Sequence, residues 1–153
     1  MTPEQIDGAL DTALGLCVRF DGIRLKPYLC PAGVPTIGLG STHYMDGRAV
    51  RLDDPPITRT HAFILAREQL RKEYLPGVVK ACPGVDTPQR LAALLDCAYN
   101  VGLGSLRAST LRKRVNAGAW DLVPDELRKW NKGGGRVLPG LVARRAAEAA
   151  MVV

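Results

Sequence analysis

Aromatic residues, histidines and long apolar segments are scarce in this sequence. Aromatic side chains make up 5% of its 153 residues, and two residues are histidine. No apolar segment is long enough to cross a bilayer as a helix, so we expect a protein that does not span a membrane. Residues 1–20 lack the basic start and apolar middle of a secretory signal, and we expect no export by that route.

Cysteine patterns that bind metals are absent as well. The four cysteines, Cys17, Cys30, Cys82 and Cys97, form no CxxC pair, and no histidine stands at zinc-ligand spacing. We therefore predict neither a metal site nor a cofactor. Cys17 and Cys97 lie in apolar helical patterns and are predicted core residues. Cys30 lies in a turn flanked by proline and glycine, where packing does not require a thiol.

The charge of the chain favours an anionic partner. With 21 Lys and Arg against 15 Asp and Glu, the net charge is +6. Such an excess raises the local concentration of an anionic polymer, and both cell walls and nucleic acids qualify. Few aromatic residues stand among the basic ones and no groove-reading motif is present, so we expect no nucleic-acid partner.

A helix followed by a small sheet is predicted at the start of the chain. Thr2 offers an N-cap hydroxyl, Pro3 suits the first helical position and Gln5 completes a capping box. Apolar residues then recur at steps of three and four until Asp21-Gly22 ends the pattern. Residues 24–52 hold short β-prone runs split by turn residues, which predicts a small antiparallel sheet.

A long helix is predicted to connect two lobes. Pro55-Pro56 closes the β region, and Thr58 caps a helical pattern that continues through Tyr74. We expect this helix to stop before Pro76-Gly77, because proline has no N–H to donate and clashes with the preceding turn.

The rest of the chain is predicted to be mostly helical. Thr87 and Ser109 are the N-caps of two helices, and a further helix, interrupted by Pro124, follows them. Residues 131–135 are predicted to form a flexible loop, and residues 140–151 a final amphipathic helix.

These elements predict an α+β fold that is mainly α. We expect one domain over residues 1–153, with a lobe at about 1–57 that carries the small antiparallel sheet. A connecting helix at about 58–75 and a helical C-terminal lobe at about 76–153 follow.

Three polar residues near the first hairpin are candidates for catalysis. Asp21 ends the first helix, Cys30 lies in the hairpin turn, and Thr36 starts the next strand. A tight hairpin could bring all three to one cleft. Hydrolysis of a glycosidic bond needs such a convergence, because one group protonates the leaving oxygen while another aligns water or attacks on the opposite face of the sugar.

The stretch from Phe20 to Thr42 closely resembles the active-site region of phage T4-type lysozymes, glycoside hydrolase family 24. That family carries an acid, eight residues, Asp or Cys, five residues and then Thr, and Asp21, Cys30 and Thr36 reproduce both gaps. The resemblance extends to residues 98–104, to residues 130–141 and to the helix that contains Arg144-Arg145, so that it covers nearly the whole chain.

The resemblance implies a lysozyme-like two-lobed fold and an endolysin that cuts bacterial peptidoglycan. The reaction would be hydrolysis of the β-1,4 bond between N-acetylmuramic acid and N-acetylglucosamine, with inversion. Asp21 would be the acid, Thr36 would orient the attacking water, and Cys30 would stand where better-known members have a carboxylate. The enzyme would be a monomer, would wait in the host bacterial cytoplasm, and would reach periplasmic peptidoglycan through a holin-type partner.

One departure from the family pattern leaves alternatives open. The family acid is almost always glutamate, and the carboxyl of Asp21 would lie about 1.5 Å short of it on the same backbone. A misplacement of about 1 Å can lower a rate roughly a hundredfold. The alternatives are a weakened or inactive peptidoglycan-binding homologue, and a lytic transglycosylase, which cleaves the same bond without water.

Four further residues are candidates for substrate binding, each with a structural alternative. Tyr99 and Asn100 are predicted to line the substrate groove on the second lobe, although Tyr99 could instead pack in the core. Arg144 and Arg145 are predicted to contact substrate or, equally, to anchor a structural ion pair. One of these arginines is also expected beside Asp21, where it would help to fix the geometry of an acid that must keep its proton until substrate binds.

Overall fold

The computed structural model describes all 153 residues and places a small sheet beside a larger set of helices. In chain order the elements are α1 (Pro3–Asp21), β1 (Arg24–Leu29), β2 (Pro35–Gly38), α2 (Arg59–Gln69), a π-helical turn (Leu70–Tyr74), α3 (Leu75–Ala81), α4 (Pro88–Val101), α5 (Leu103–Arg107), α6 (Thr110–Asn116), α7 (Val123–Arg128), β3 (Lys132–Gly133), β4 (Arg136–Val137) and α8 (Pro139–Met151). None of the helices combines the length and apolar character that a membrane span needs.

Helix α1 begins at the predicted capping box. The backbone N–H of Gln5 donates to Thr2 Oγ1 at 3.1 Å, and the N–H of Thr2 donates to Gln5 Oε1 at 2.9 Å. The helix runs to Asp21 and stops at Gly22, whose φ of 71° lies in the region that favours glycine. The candidate acid is therefore the last residue of a long helix.

The first hairpin packs closely on helix α2. Strands β1 and β2 are antiparallel, with Arg24 opposite Gly38 and Tyr28 opposite Thr36. Gly38 has a φ of 70°, and a Cβ added to it would lie 3.2 Å from the Cβ of Ala62 in α2. A side chain at this position would therefore hold β2 away from the helix.

The connecting helix continues past the predicted stop, and the prediction that it ends before Pro76-Gly77 is wrong. A π-helical turn over Leu70–Tyr74 joins α2 to α3, which reaches Ala81, and the N–H of Leu75 donates to the carbonyl of Leu70, five residues back. A wider turn of this kind lets the chain pass a proline that would clash in a regular α-helix.

Two smaller predictions in the C-terminal part need correction. Pro124 lies in the first turn of α7, where its missing N–H costs nothing, so it begins this helix and does not interrupt one. The predicted flexible loop contains a short hairpin, in which Gly133 pairs with Arg136. Gly134 and Gly135 supply the positive φ values, 59° and 79°, that its two-residue turn requires.

Helix α4 is the centre of the fold. Each of its residues from Leu91 to Ala98 is fully buried, and α1 and α8 pack against it. A helix buried on all sides is expected to be apolar throughout, yet this one contains Asp96. A charged side chain in that position requires a partner, which α8 supplies at the candidate active site.

Candidate active site

Three helices bring charged side chains together at one point. Asp21 ends α1, Asp96 lies in α4 and Arg144 lies in α8. Cys17 stands one turn before Asp21, and residues four apart share one face of a helix. That face of α1 therefore presents a thiol and a carboxyl towards Asp96 and Arg144.

The guanidinium of Arg144 joins the two carboxylates. Its Nη1 and Nη2 donate to Asp21 Oδ1 and Oδ2 at 2.6 and 3.2 Å. Its Nη2 and Nε donate to Asp96 Oδ1 and Oδ2 at 2.7 and 3.0 Å. The planar fork of arginine allows two such bidentate contacts, which a lysine ammonium could not make.

The two ion pairs differ in exposure. The side chain of Arg144 is 2% exposed and that of Asp96 is 0% exposed, whereas the side chain of Asp21 is 29% exposed. Removing one member of a buried pair leaves an uncompensated charge and costs about 3–5 kcal/mol. The Asp96–Arg144 pair is therefore a fixed anchor, and Asp21 is the member of the cluster that solvent reaches.

Asp96 has further partners that hold it in the ionised form. Burial alone would raise its pKa, but hydrogen bonds from Arg144 and then from Glu148 lower the pKa of Asp96 below its ordinary value. The thiol of Cys17 also donates to Asp96 Oδ1, at 3.4 Å. Burial, with the charge of Asp96 beside it, raises the pKa of the Cys17 thiol, so this group remains a neutral donor.

Glu148 and Arg145 continue the cluster along α8. Arg145 Nη2 donates to Glu148 Oε1 at 2.9 Å, and both side chains are fully buried. Burial first, and a hydrogen bond to Asp96 second, raise the pKa of Glu148 from its ordinary 4.5 to about 10. No donor reaches the buried Oε2 of Glu148, which fits an oxygen that carries a proton.

Asp21 opens onto a pocket of about 230 Å³ between the sheet and the helices. The pocket walls combine a carboxyl, three phenols and two amides with backbone at the end of the hairpin, which suits a polar ligand. The lining residues are Asp21, Gly22, Tyr28, Leu39, Gly40, Gln69, Tyr74, Tyr99 and Asn100.

A larger pocket, of about 570 Å³, adjoins the first and shares Gly40, Gln69 and Tyr74 with it. Gln69 precedes the π-helical turn, and its buried Oε1 has no hydrogen-bond partner. Turns of this kind are frequent at functional sites. We call the two adjoining pockets the groove, and their shared wall contains an unused amide acceptor.

Tyr99 combines the two alternatives that the sequence left open. It lines the pocket, and it also packs against the main core and lies 5.2 Å from Tyr74 between ring centroids. Its hydroxyl donates to the backbone carbonyl of Leu39, which fixes α4 to the segment after β2. Burial raises the pKa of Tyr99, so the hydroxyl remains a donor.

The hairpin turn holds Cys30 and Thr36 close to each other. Thr36 Oγ1 donates to the carbonyl of Val34 at 2.8 Å, and this residue is 3% exposed. A hydrogen bond from the backbone of Val34 lowers the pKa of the Cys30 thiol most strongly, and the backbone of Ala32 adds to the effect. The turn therefore stabilises a negative charge on sulfur.

Some of the predicted site residues line the pocket and others do not. Asp21, Tyr99 and Asn100 line it together, whereas Cys30 and Thr36 are absent from its walls. Tyr28, the cross-strand partner of Thr36, does line the pocket, so the strand pair connects Thr36 to the pocket wall. The shared catalytic role of the three candidates stays a prediction.

Both predicted arginines are buried against acidic side chains. Arg144 is the neighbour of Asp21 that the sequence anticipated, and Arg145 is paired with Glu148 inside the protein. Their side chains are 2% and 0% exposed, and neither lines the pocket. Direct contact with substrate, predicted as one of two possibilities, stays a prediction for both arginines.

Several residues of the candidate site were not predicted from the sequence, although one of them is marked by an unusual pattern. Asp96 is a charged residue inside a run of apolar helical positions, and such a charge requires a buried partner. Tyr28, Gln69 and Tyr74 carried no comparable signal, because their place in the pocket depends on how the hairpin meets the connecting helix. No group of three or more His, Cys, Asp or Glu side chains is arranged to hold a metal ion.

Comparison with known proteins identifies the family. Residues 18–148 match the family model described as phage lysozyme. This chain belongs to the phage lysozyme family. The match begins just before Asp21 and ends at Glu148, so it contains the whole Arg144 cluster apart from Cys17.

Individual phage lysozyme relatives agree in sequence and in fold. An endolysin of Acyrthosiphon pisum secondary endosymbiont phage 1 is 33% identical, and the match covers 92% of this chain and 94% of the relative. An endolysin from Escherichia coli O157:H7 phage FAHEc1 has a solved structure that superposes with a TM-score of 0.80 at 30% identity, over 93% of this chain and 90% of that one. The predicted lysozyme-like fold is confirmed.

Some phage lysozyme relatives are longer than this chain. An endolysin of Bacillus phage PZA is 36% identical over 138 residues, which cover 90% of this chain and 52% of the relative. The chain thus spans about half the length of the Bacillus phage relatives that it matches.

The raised pKa of Glu148 gives a pH dependence of stability with a definite sign. Between pH 4.5 and about 10 the folded protein retains a proton that the unfolded chain has released, so this group stabilises fully below pH 4.5 and progressively less as pH rises. The substitution Glu148→Gln keeps a donor for Asp96 and does not titrate. We expect the thermal midpoint of Glu148→Gln to rise relative to that of the wild type from pH 5 to pH 9.

Thermal unfolding of both proteins across this pH range checks the prediction. Asp96 does not disturb the comparison, because a lowered pKa affects stability only towards acid pH. A large loss of stability in Glu148→Gln that is the same at every pH would contradict it, since that result would mean that Glu148 is an ionised partner of Arg145.

Proposed function

We propose that this chain hydrolyses the β-1,4 bond between N-acetylmuramic acid and N-acetylglucosamine in bacterial peptidoglycan, as a lysozyme of the endolysin type. The observation that carries the proposal is the position of Asp21, a carboxyl that is anchored by a buried arginine and opens onto a polar groove. Membership of the phage lysozyme family supports it. The net charge of +6 suits an anionic cell-wall polymer.

Asp21 is the proposed general acid. A carboxyl in this position can donate a proton to the leaving glycosidic oxygen of a glycan bound in the groove. Arg144 fixes both oxygens of the carboxyl, so that little reorientation is needed when substrate arrives. Gln69 and Asn100 offer amide groups for the N-acetyl and hydroxyl groups of neighbouring sugars.

Thr36 and Cys30 are the proposed water-binding pair on the other side of the reacting sugar. Thr36 is buried and does not line the pocket, so this role requires the hairpin to admit a water to its hydroxyl when the glycan binds. A hydroxyl that donates to the Val34 carbonyl keeps its lone pairs free for such a water. A thiolate at Cys30 would accept a proton from that water more readily than a neutral thiol.

A second candidate function is binding to peptidoglycan without cleavage. The contact with Arg144 engages both oxygens of the Asp21 carboxyl, whereas a general acid needs one of them free to donate a proton to substrate. The side chain is also one methylene shorter than the glutamate typical of the family pattern. Both features leave the groove intact as a binding site.

Lysis of permeabilised Gram-negative cells, followed by turbidity, separates the two functions. We expect lysis by the wild type, a loss of at least about a hundredfold in Asp21→Asn, and equal or faster lysis by Asp21→Glu. Asp125→Asn is the matched control, because this acid is exposed on α7 and forms only a surface ion pair with Arg128. No lysis by the wild type together with recovery in Asp21→Glu would contradict the proposed activity and favour the binding protein.

Mass spectrometry of the released glycan determines the reaction type. Hydrolysis adds one water at each cleaved bond, because the attacking nucleophile is water. We therefore expect reducing ends on the products, heavier than anhydro ends by the mass of one water. Anhydro-muramic ends would overturn the hydrolytic mechanism and identify a lytic transglycosylase, while leaving the choice of bond unchanged.

The proposal extends to the cellular setting of the enzyme by resemblance to the family. The protein would act as a monomer on periplasmic peptidoglycan, would wait in the host bacterial cytoplasm, and would depend on a holin-type membrane permeabiliser for access. Its glycan substrate would occupy the groove beside Asp21.

A further inference from the structure

We propose that Asp96 is a positioning residue for the acid Asp21, and that it acts through Arg144 to balance the positive charge that Asp21 faces. This inference rests on the proposed function of Asp21. It concerns a fully buried residue that does not line the pocket.

The first step is geometric. Arg144 has five N–H bonds, and four of them are used, two towards Asp21 and two towards Asp96. Asp96 is held in turn by the Cys17 thiol and by α4, the most buried helix of the fold. Asp96 therefore fixes the guanidinium plane of Arg144, and this plane in turn fixes the orientation of the Asp21 carboxyl.

The second step is electrostatic. An arginine with no other partner would strongly favour the ionised form of a carboxyl at 2.6 Å, and an acid catalyst needs its proton. Asp96 contacts the same guanidinium at 2.7 Å and offsets its charge. Arg144 can then hold Asp21 in place without requiring it to be a carboxylate.

The surrounding charges are compatible with this role. Asp96 faces Cys17 from α1, and Arg144 and Glu148 from α8, with Arg145 paired behind Glu148. Asp21 faces Arg144 from α8, Tyr28 from β1 and Tyr99 from α4. The cluster thus contains three carboxyl groups and two guanidinium groups, and a protonated Glu148 leaves Asp96 as the carboxylate nearest to Arg144 on the buried side.

The variant Asp96→Asn tests the inference, because it keeps the shape and one acceptor of the side chain and removes the charge. The Asp21 carboxyl is followed by 13C NMR during a pH titration of the wild type and the variant. We expect its titration midpoint to fall by about half a unit or more in Asp96→Asn. The upper limb of the pH profile for lysis moves to lower pH by the same amount.

Cys97→Ala is the matched control, since Cys97 is the next residue of α4, is fully buried and forms no hydrogen bond with Arg144. We expect it to lower stability without moving the titration. Equal midpoints in the wild type and Asp96→Asn would overturn the inference. Because the titration does not depend on catalysis, it gives an answer even if the wild type fails to lyse cells, which is the outcome that would reject the proposed function.

The variant Arg144→Lys provides a second test, which applies if Asp96→Asn does not fold. Lysine retains the charge and cannot bind both carboxylates through a fork. We expect a folded protein, judged by circular dichroism, whose lytic rate falls at least about tenfold. A folded Arg144→Lys with the wild-type rate and an unchanged Asp21 titration would show that the link between Asp96 and Asp21 is not needed.

Discussion

The guanidinium of Arg144 binds two carboxylates at once, and the arrangement of three helices depends on this contact. Arg144 belongs to α8, Asp21 to the end of α1 and Asp96 to the buried helix α4. The side chain of Arg144 is 2% exposed, and the hydrogen bonds to both carboxyl groups compensate for the burial of its charge. The three helices are therefore fixed at the point where α1 delivers its last residue to the pocket, so that one interaction serves both packing and the candidate site.

The proposed chemistry places opposing demands on Asp21. Arg144 supplies rigidity, yet its charge favours the carboxylate over the acid. Asp96 offsets part of the charge of Arg144 from the side away from solvent. A protonated Glu148 stabilises Asp96 without adding a second negative charge. A shorter side chain than glutamate also has fewer torsions to restrain, so that the arginine contact can define the carboxyl position closely.

Local signals in the sequence predicted much of the fold and less of the site. The capping box at Thr2 and the N-caps at Thr87 and Ser109 act over a few residues, and each begins a helix where predicted. The helix end predicted at Pro76 was wrong, because the π-helical turn that accommodates this proline depends on packing along the whole connecting helix. Arg144 and Arg145 are adjacent in sequence, but only the fold determines that one faces Asp21 and the other Glu148.

A crystal structure of Asp21→Asn with a bound peptidoglycan fragment would show whether the residue at position 21 meets the bond that is cleaved. The substitution removes the acid and preserves the shape of the site. We expect the scissile glycosidic oxygen within about 3.2 Å of the side-chain amide introduced at position 21, with Arg144 still buried against Asp96. A glycan bound along the groove with its nearest glycosidic oxygen well beyond hydrogen-bond reach of that amide would contradict this expectation.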